Sequence, residues 1–122
     1  MIVANTKHVK KIILNLTAAN LAETVWSWDF IDKQKITLDS LDKSWKKLSP
    51  INNLDNVSDK QFLIYLAKND GVIPYSQGLQ LVNEFKNKKI KYDLIINKKR
   101  NHVVSGFLNL LKYKRYIDFL KD

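Results

Sequence analysis

Short apolar runs alternate with segments of helical spacing along most of this chain. Val9 to Leu16, Asp59 to Ala67 and Lys91 to Asn97 have strand length, and the first two contain nearly continuous apolar runs, as in strands covered on both faces. The segment between the second and third strands has helical spacing, and its predicted buried face consists of Leu79, Leu81, Val82 and Phe85. This alternation predicts parallel strands joined by crossover helices.

Two further helical segments accompany this pattern. Thr17 to Leu48 is predicted to be a helical insertion, and its second helix begins after a Thr37 cap with an apolar stripe of Leu38, Leu41, Trp45 and Leu48. Val103 to Leu120 also has helical spacing, with a break expected near Lys112. The predicted fold is therefore a three-layer α/β arrangement with about three parallel strands, crossover helices and a helical insertion.

The composition narrows the class of protein. A length of 122 residues with 45% hydrophobic and 27% charged residues fits one small globular domain. No apolar run approaches the roughly 20 residues that a membrane span requires. The absence of cysteine excludes a disulfide framework, a thiolate metal site and a cysteine nucleophile, and it fits a cytoplasmic protein. His8 and His102 lie far apart in sequence, so no metal site is expected.

The net charge of +9 raises the question of an anionic partner. Only Arg100 and Arg115 among the 21 cationic residues are arginines, and lysine acts as a point charge rather than as a fork that reads bases. The lysine-rich stretch from Lys86 to Arg100 could bind nucleic acid or another anionic surface. We favour a solvated helix end and loop, because neither an RNA-binding motif nor a helix-turn-helix accompanies the lysines, so nucleic acid is not the expected partner.

An acid and a histidine follow the second and third predicted strands. Asp70 lies in the turn signature Asn69-Asp70-Gly71, and His102 follows the loop after the third strand. Because parallel strands end at one edge of a sheet and neighbours lie about 4.8 Å apart, the two side chains can meet. An aspartate that accepts the Nδ1 proton of histidine leaves Nε2 free to take a proton from a nucleophile. The alternatives are a plain turn residue at Asp70 and a loop or helix-start histidine at His102.

A serine nucleophile is not recognisable beside this pair. The three glycines are Gly71, Gly78 and Gly106, and none of them forms the Gly-x-Ser-x-Gly pattern of a nucleophile elbow. Ser76 and Ser105 lie near the two candidate residues in sequence, but Ser76 is better explained as a helix N-cap. The nucleophile of a triad is therefore expected outside these residues.

Several features between Ser49 and His102 occur in a recognisable order. They are Pro50, the apolar strand ending at Ala67, the loop Asn69-Asp70-Gly-Val-Ile-Pro74-Tyr75, the helix through Phe85, the strand Tyr92 to Asn97, and the histidine. Together they resemble the C-terminal half of an α/β-hydrolase, in which the last strands carry the catalytic acid and then the histidine. The resemblance implies that Asp70 is the acid and His102 the base of a serine hydrolase that cleaves ester, amide or related acyl bonds, with no metal or organic cofactor.

The resemblance covers residues 9–120 and implies a single partial domain over residues 1–122, with residues 17–48 as the lid-like insertion. The first predicted strand takes the place of the family's sixth strand, and Met1 to Lys7 that of the tail after the nucleophile helix. The chain departs from the family at Ala67 and Lys68, where a glycine often precedes the acid, and at Asn101, where a glycine commonly precedes the histidine. Because the first half of the hydrolase sheet has no counterpart here, activity of this chain alone is not expected.

The exposed edge of the first strand suggests partners for the chain. An N-terminal half on a separate chain, or a second copy of this chain, would cover an edge that is otherwise open to pairing. A non-catalytic remnant or interaction module is the alternative to a hydrolase. We expect Trp26, Trp28 and Trp45 to pack the insertion onto the sheet, or to line a substrate pocket beneath a lid.

Overall fold

The protein forms one parallel sheet between two layers of helices. The structure is a computed structural model that describes residues 7–121, apart from the side chains of residues 25–27. Its strands are β1 (Lys11–Asn15), β2 (Gln61–Ala67) and β3 (Lys91–Asn97), in the order β1-β2-β3 with both pairs parallel. The predicted three-layer α/β fold is confirmed. Most of the tail predicted for Met1 to Lys7 lies outside the described residues.

Within residues 7–121, five α-helices and three short 3₁₀ turns connect and cover the strands. The 3₁₀ turns are Leu21–Glu23, Pro50–Asn53 and Asp55–Val57, and the α-helices are α1 (Val25–Gln34), α2 (Leu38–Trp45), α3 (Tyr75–Asn87), α4 (His102–Leu110) and α5 (Tyr113–Lys121). The break predicted near Lys112 is thus present between α4 and α5. Among the described residues, no helix has both the length and the apolar character needed to cross a bilayer.

One face of the sheet packs against α3 and forms the main apolar core. Strand residues alternate between faces, and the residues of β2 that point to this side meet the buried face of α3. The core includes Phe62, Ile64, Leu66, Leu81, Val82 and Phe85, with the Phe62 and Phe85 rings 4.7 Å apart. The predicted buried face of α3 is correct except at Leu79, which is 38% exposed.

The opposite face of the sheet packs against α4 and α5. Tyr65 of β2 meets Tyr116 of α5 with ring centroids 5.6 Å apart, and the Lys11 ammonium donates to the Phe119 carbonyl over 2.8 Å. The outer surface of this layer is apolar and exposed, and it consists of Val103, Val104, Phe107, Leu110, Leu111, Tyr113, Ile117 and Leu120. The two helical layers therefore differ in where they place their apolar side chains.

The insertion between β1 and β2 contains α1 and α2. Thr37 caps α2 as predicted, since its side chain accepts the Ser40 N–H at 3.2 Å. Of the three tryptophans, Trp28 is 59% exposed and does not pack on the sheet, whereas Trp45 is half-buried and contacts Phe30 with ring centroids 5.6 Å apart. The Trp26 side chain lies outside the described residues.

Candidate active site

Asp70 lies in the loop between β2 and α3, at the carboxyl end of the central strand. Its Oδ1 accepts the backbone N–H groups of Val72 at 2.9 Å and Ile73 at 2.8 Å, which closes the turn that the Asn-Asp-Gly sequence predicts. Its side chain is only 3% exposed. These bonds hold one carboxylate oxygen in the loop and leave Oδ2 to point across the sheet edge.

His102 is the first residue of α4, directly after the loop that leaves β3. Asn101 caps this helix, because its side-chain oxygen accepts the Val104 N–H at 3.0 Å. The chain therefore departs from the family's usual glycine at a position where asparagine has a local role. The cap fixes the start of α4, and with it the point from which the imidazole extends.

The two side chains meet across the carboxyl ends of β2 and β3. His102 Nδ1 lies 2.7 Å from Asp70 Oδ2, in a side-chain pair that joins residues 32 positions apart in sequence. The carboxylate accepts the Nδ1 proton, which leaves Nε2 as the basic nitrogen. Nε2 has no hydrogen-bond partner among the described residues, and the imidazole is 29% exposed. The pair can therefore accept a proton from an incoming group and stabilise the imidazolium that results.

Neither Ser76 nor Ser105 is positioned to give a proton to His102 Nε2 as a nucleophile. Ser105 lies on the face of α4 that packs on the sheet, and it is fully buried with an unpaired hydroxyl. Ser76 is exposed on the first turn of α3, but it is the second helical residue, so the prediction that it forms the N-cap is wrong. In residues 7–121 no serine hydroxyl is hydrogen bonded to the candidate base.

An apolar groove extends from this site along the free edge of β1. Its volume is about 710 Å³, and its lining includes Ile13, Leu14, Leu16, Leu21, Trp45 and Leu48. The groove reaches the candidate site at Ile73, whose N–H binds Asp70. Among the described residues β1 pairs only with β2, so the groove and the unpaired strand edge form one continuous surface.

The sequence analysis did not identify three asparagines, Asn15, Asn97 and Asn109, that are hydrogen bonded to one another between α4 and the ends of the strands. Asn109 of α4 is fully buried, donates to Asn15 Oδ1 at 2.8 Å, and accepts from Asn97 Nδ2 at 3.2 Å. Asn15 and Asn97 are the last residues of the two outer strands. The available signal was a polar residue at the end of each of two apolar strands, together with an asparagine in an otherwise apolar helix.

The comparison with protein families gives a match over most of the chain. The model of the prolyl oligopeptidase family matches residues 13–122, a range that contains the Asp70 loop, α4 and most of the sheet. No curated protein and no solved structure matches the chain significantly.

Proposed function

The chain belongs to the prolyl oligopeptidase family within the α/β-hydrolases, and from that premise we propose that it is the C-terminal part of a serine hydrolase. The observation that carries the proposal is the 2.7 Å contact between Asp70 Oδ2 and His102 Nδ1 at the carboxyl edge of the sheet. Acid and histidine follow successive strands in the chain order of α/β-hydrolase triads.

His102 is the general base of the proposed reaction and Asp70 holds it in the required tautomer. Nε2 takes the proton of a serine hydroxyl as the serine oxygen attacks the acyl carbon, and it then gives that proton to the leaving alcohol or amine. Water attacks the acyl-enzyme in the second half of the reaction, with His102 again as base. Asp70 remains ionised throughout and stabilises the imidazolium.

The substrate of the proposed reaction is a carboxylic acyl compound. The resemblance stated from the sequence covers ester, amide and related acyl bonds, and among these the family match favours the amide bond of a peptide. The same proton transfers serve both substrates, because each reaction passes through a tetrahedral intermediate and a protonated leaving group. A peptide amide is therefore the first substrate to test and an ester the second. A cytoplasmic location stays a prediction.

The serine and the oxyanion-hole donors of this proposal come from sequence outside these 122 residues. The unpaired edge of β1, the apolar groove beside it and the exposed apolar surface of α4 support an additional sheet segment at this side. Parallel pairing with β1 would cover a strand edge that is otherwise open to aggregation. An N-terminal half, on a separate chain or in sequence that precedes these residues, would supply both the strands and the nucleophile.

A non-catalytic interaction module is the second candidate function. The same exposed surface supports it, because an apolar face of this kind marks a binding surface whether or not chemistry occurs there. The two functions differ in whether binding creates a reactive serine. A complex that forms but never reacts with a serine-directed reagent would favour the interaction module.

Co-production with a candidate N-terminal half tests the proposal. The reading frame directly upstream is first inspected for Gly-x-Ser-x-Gly, and its product is purified together with this chain. A fluorophosphonate probe should label the upstream serine in the complex and leave each part alone unlabelled. An upstream frame without the serine motif, or equal labelling of the upstream part without this chain, would contradict the proposal.

A further inference from the structure

Helix α4, which carries His102 at its start, packs on the sheet through a polar stripe. His102, Ser105 and Asn109 are spaced three and four residues apart and lie on one face of the helix. Ser105 and Asn109 are fully buried, whereas Val103, Phe107 and Leu110 are 62% to 73% exposed. The side chains that this helix buries fully are therefore polar, while Leu108 is only partly buried.

Asn109 supplies the directional contacts on that face. Its amide nitrogen donates to Asn15 at the end of β1, and its amide oxygen accepts from Asn97 at the end of β3. The two strands flank the central strand that leads to Asp70. One side chain thus joins α4 to both outer strands, and Asn15 adds a weaker bond of 3.4 Å to the Gly106 carbonyl.

These bonds determine the register of the helix. A shift of one residue along an α-helix moves the chain by about 1.5 Å and turns each side chain by about 100°. Such a shift would separate Asn109 from both partners and leave buried amide groups without hydrogen bonds, which is costly. His102 lies seven residues, or about two turns, before Asn109 on the same helix. The same shift would therefore rotate its imidazole away from Asp70.

We propose that Asn109 is a positioning residue that holds His102 in hydrogen-bond contact with Asp70. Asn109 acts through helix α4 and touches neither the imidazole nor a substrate. The inference rests on the proposed function only for the role it assigns to His102, since the hydrogen bond itself exists without any reaction.

Proton NMR of the full chain tests this placement without a substrate. The Nδ1 proton of His102, bound to a carboxylate, should give a resonance far downfield of the amide protons. Asn109→Ala should abolish that resonance while far-UV circular dichroism stays native. Ser105→Ala is the matched control, because Ser105 is equally buried one turn away, its hydroxyl has no partner, and the resonance should persist. An unchanged resonance in Asn109→Ala, or none in the unsubstituted chain, would overturn the proposal.

A second pair of variants covers the case in which Asn109→Ala does not fold. Asn15→Asp keeps the oxygen that accepts from Asn109 and should retain the resonance, whereas Asn15→Leu removes the oxygen and should lose it. Equal behaviour of the two variants would contradict the proposal.

Probe labelling separates this inference from the proposed function. A displacement of about 1 Å at a catalytic group can lower a rate by about 100-fold, which is the loss expected for Asn109→Ala in the labelled complex. If Asn109→Ala loses the His102 resonance but the complex of the unsubstituted chain is never labelled by the probe, the hydrolase function is rejected and the positioning role of Asn109 is kept.

Discussion

The two helical layers of this protein bury opposite kinds of side chain. Helix α3 packs Leu81, Val82 and Phe85 against the sheet, while α4 packs Ser105 and Asn109 inward and leaves Phe107 exposed. The α3 side is a closed apolar core, in which side chains of this chain alone bury one another. On the α4 side the fully buried side chains are polar, and the outer surface is apolar and exposed.

The two layers also differ in their relation to the candidate site. Asp70 follows the central strand and is fixed by its own loop, whereas His102 begins the helix with the polar inner face. Asp70 is therefore held by local backbone bonds, whereas in our proposal distant asparagines position His102. Changes in the α3 layer should affect folding, and changes inside the α4 layer should affect the site.

Two phenylalanines test this contrast with the largest expected effect on stability. Phe85→Ala removes a side chain that is 1% exposed and should lower the free energy of unfolding by about 3 to 5 kcal/mol. Phe107→Ala removes one that is 62% exposed and should change it by less than about 0.5 kcal/mol. Urea unfolding followed by circular dichroism measures both. Similar losses for the two variants would show that the α4 surface is already covered within this chain.

Two helical glycines test the same contrast through packing. A Cβ at Gly78 of α3 would collide with the Leu66 side chain, so Gly78→Ala should destabilise the protein by about 1 to 3 kcal/mol. A Cβ at Gly106 of α4 would lie 3.7 Å from Leu16 Cδ1, an ordinary contact. Gly106→Ala should therefore stabilise the helix by about 0.5 to 1 kcal/mol. Thermal unfolding compares the two, and the reverse order would contradict the tight packing of α3.

The two tyrosines between the sheet and α5, Tyr65 of β2 and Tyr116 of α5, provide a smaller test that depends on pH. Burial raises the pKa of Tyr65 and of Tyr116 above the usual value of 10.0, and neither hydroxyl has a partner among the described residues. Because the unfolded chain loses these protons first, their contribution to stability is present below about pH 10 and is lost as the pH rises through the folded values.

Replacing both tyrosines checks that sign. The double variant Tyr65→Phe and Tyr116→Phe should lose less stability than the unsubstituted chain between pH 9 and about pH 11. At pH 7 it should differ by less than about 1 kcal/mol, because no hydrogen bond is removed. A steeper alkaline loss in the double variant would contradict the buried placement of the two phenols.

The sequence predicted the sheet well because apolar runs and turn residues are local signals. β3 is Lys91–Asn97 as predicted, and the Asn-Asp-Gly turn places Asp70 in its loop. The contact between Asp70 and His102 followed from a general property of parallel sheets, the shared edge at which their strands end. Their catalytic roles stay a prediction from the family resemblance.

The sequence did not predict which side of helices α4 and α5 faces the sheet. The apolar spacing from Val103 to Leu120 suggests burial, yet most of those side chains are exposed and the polar stripe lies inward. Periodicity locates an apolar face but not the surface that covers it. For the same reason the sequence did not show that the three asparagines contact one another, since these contacts span up to 94 positions in sequence.

Probe labelling of histidine variants tests the central claim most directly. In the complex with the upstream serine-bearing part, His102→Ala should lower the rate of fluorophosphonate labelling by about 10⁶-fold. His8→Ala replaces the other histidine, which is exposed before β1, and should leave the rate unchanged. Gel filtration of each complex controls for assembly. Equal labelling of the assembled His102→Ala and His8→Ala complexes would contradict the assignment of His102 as the base.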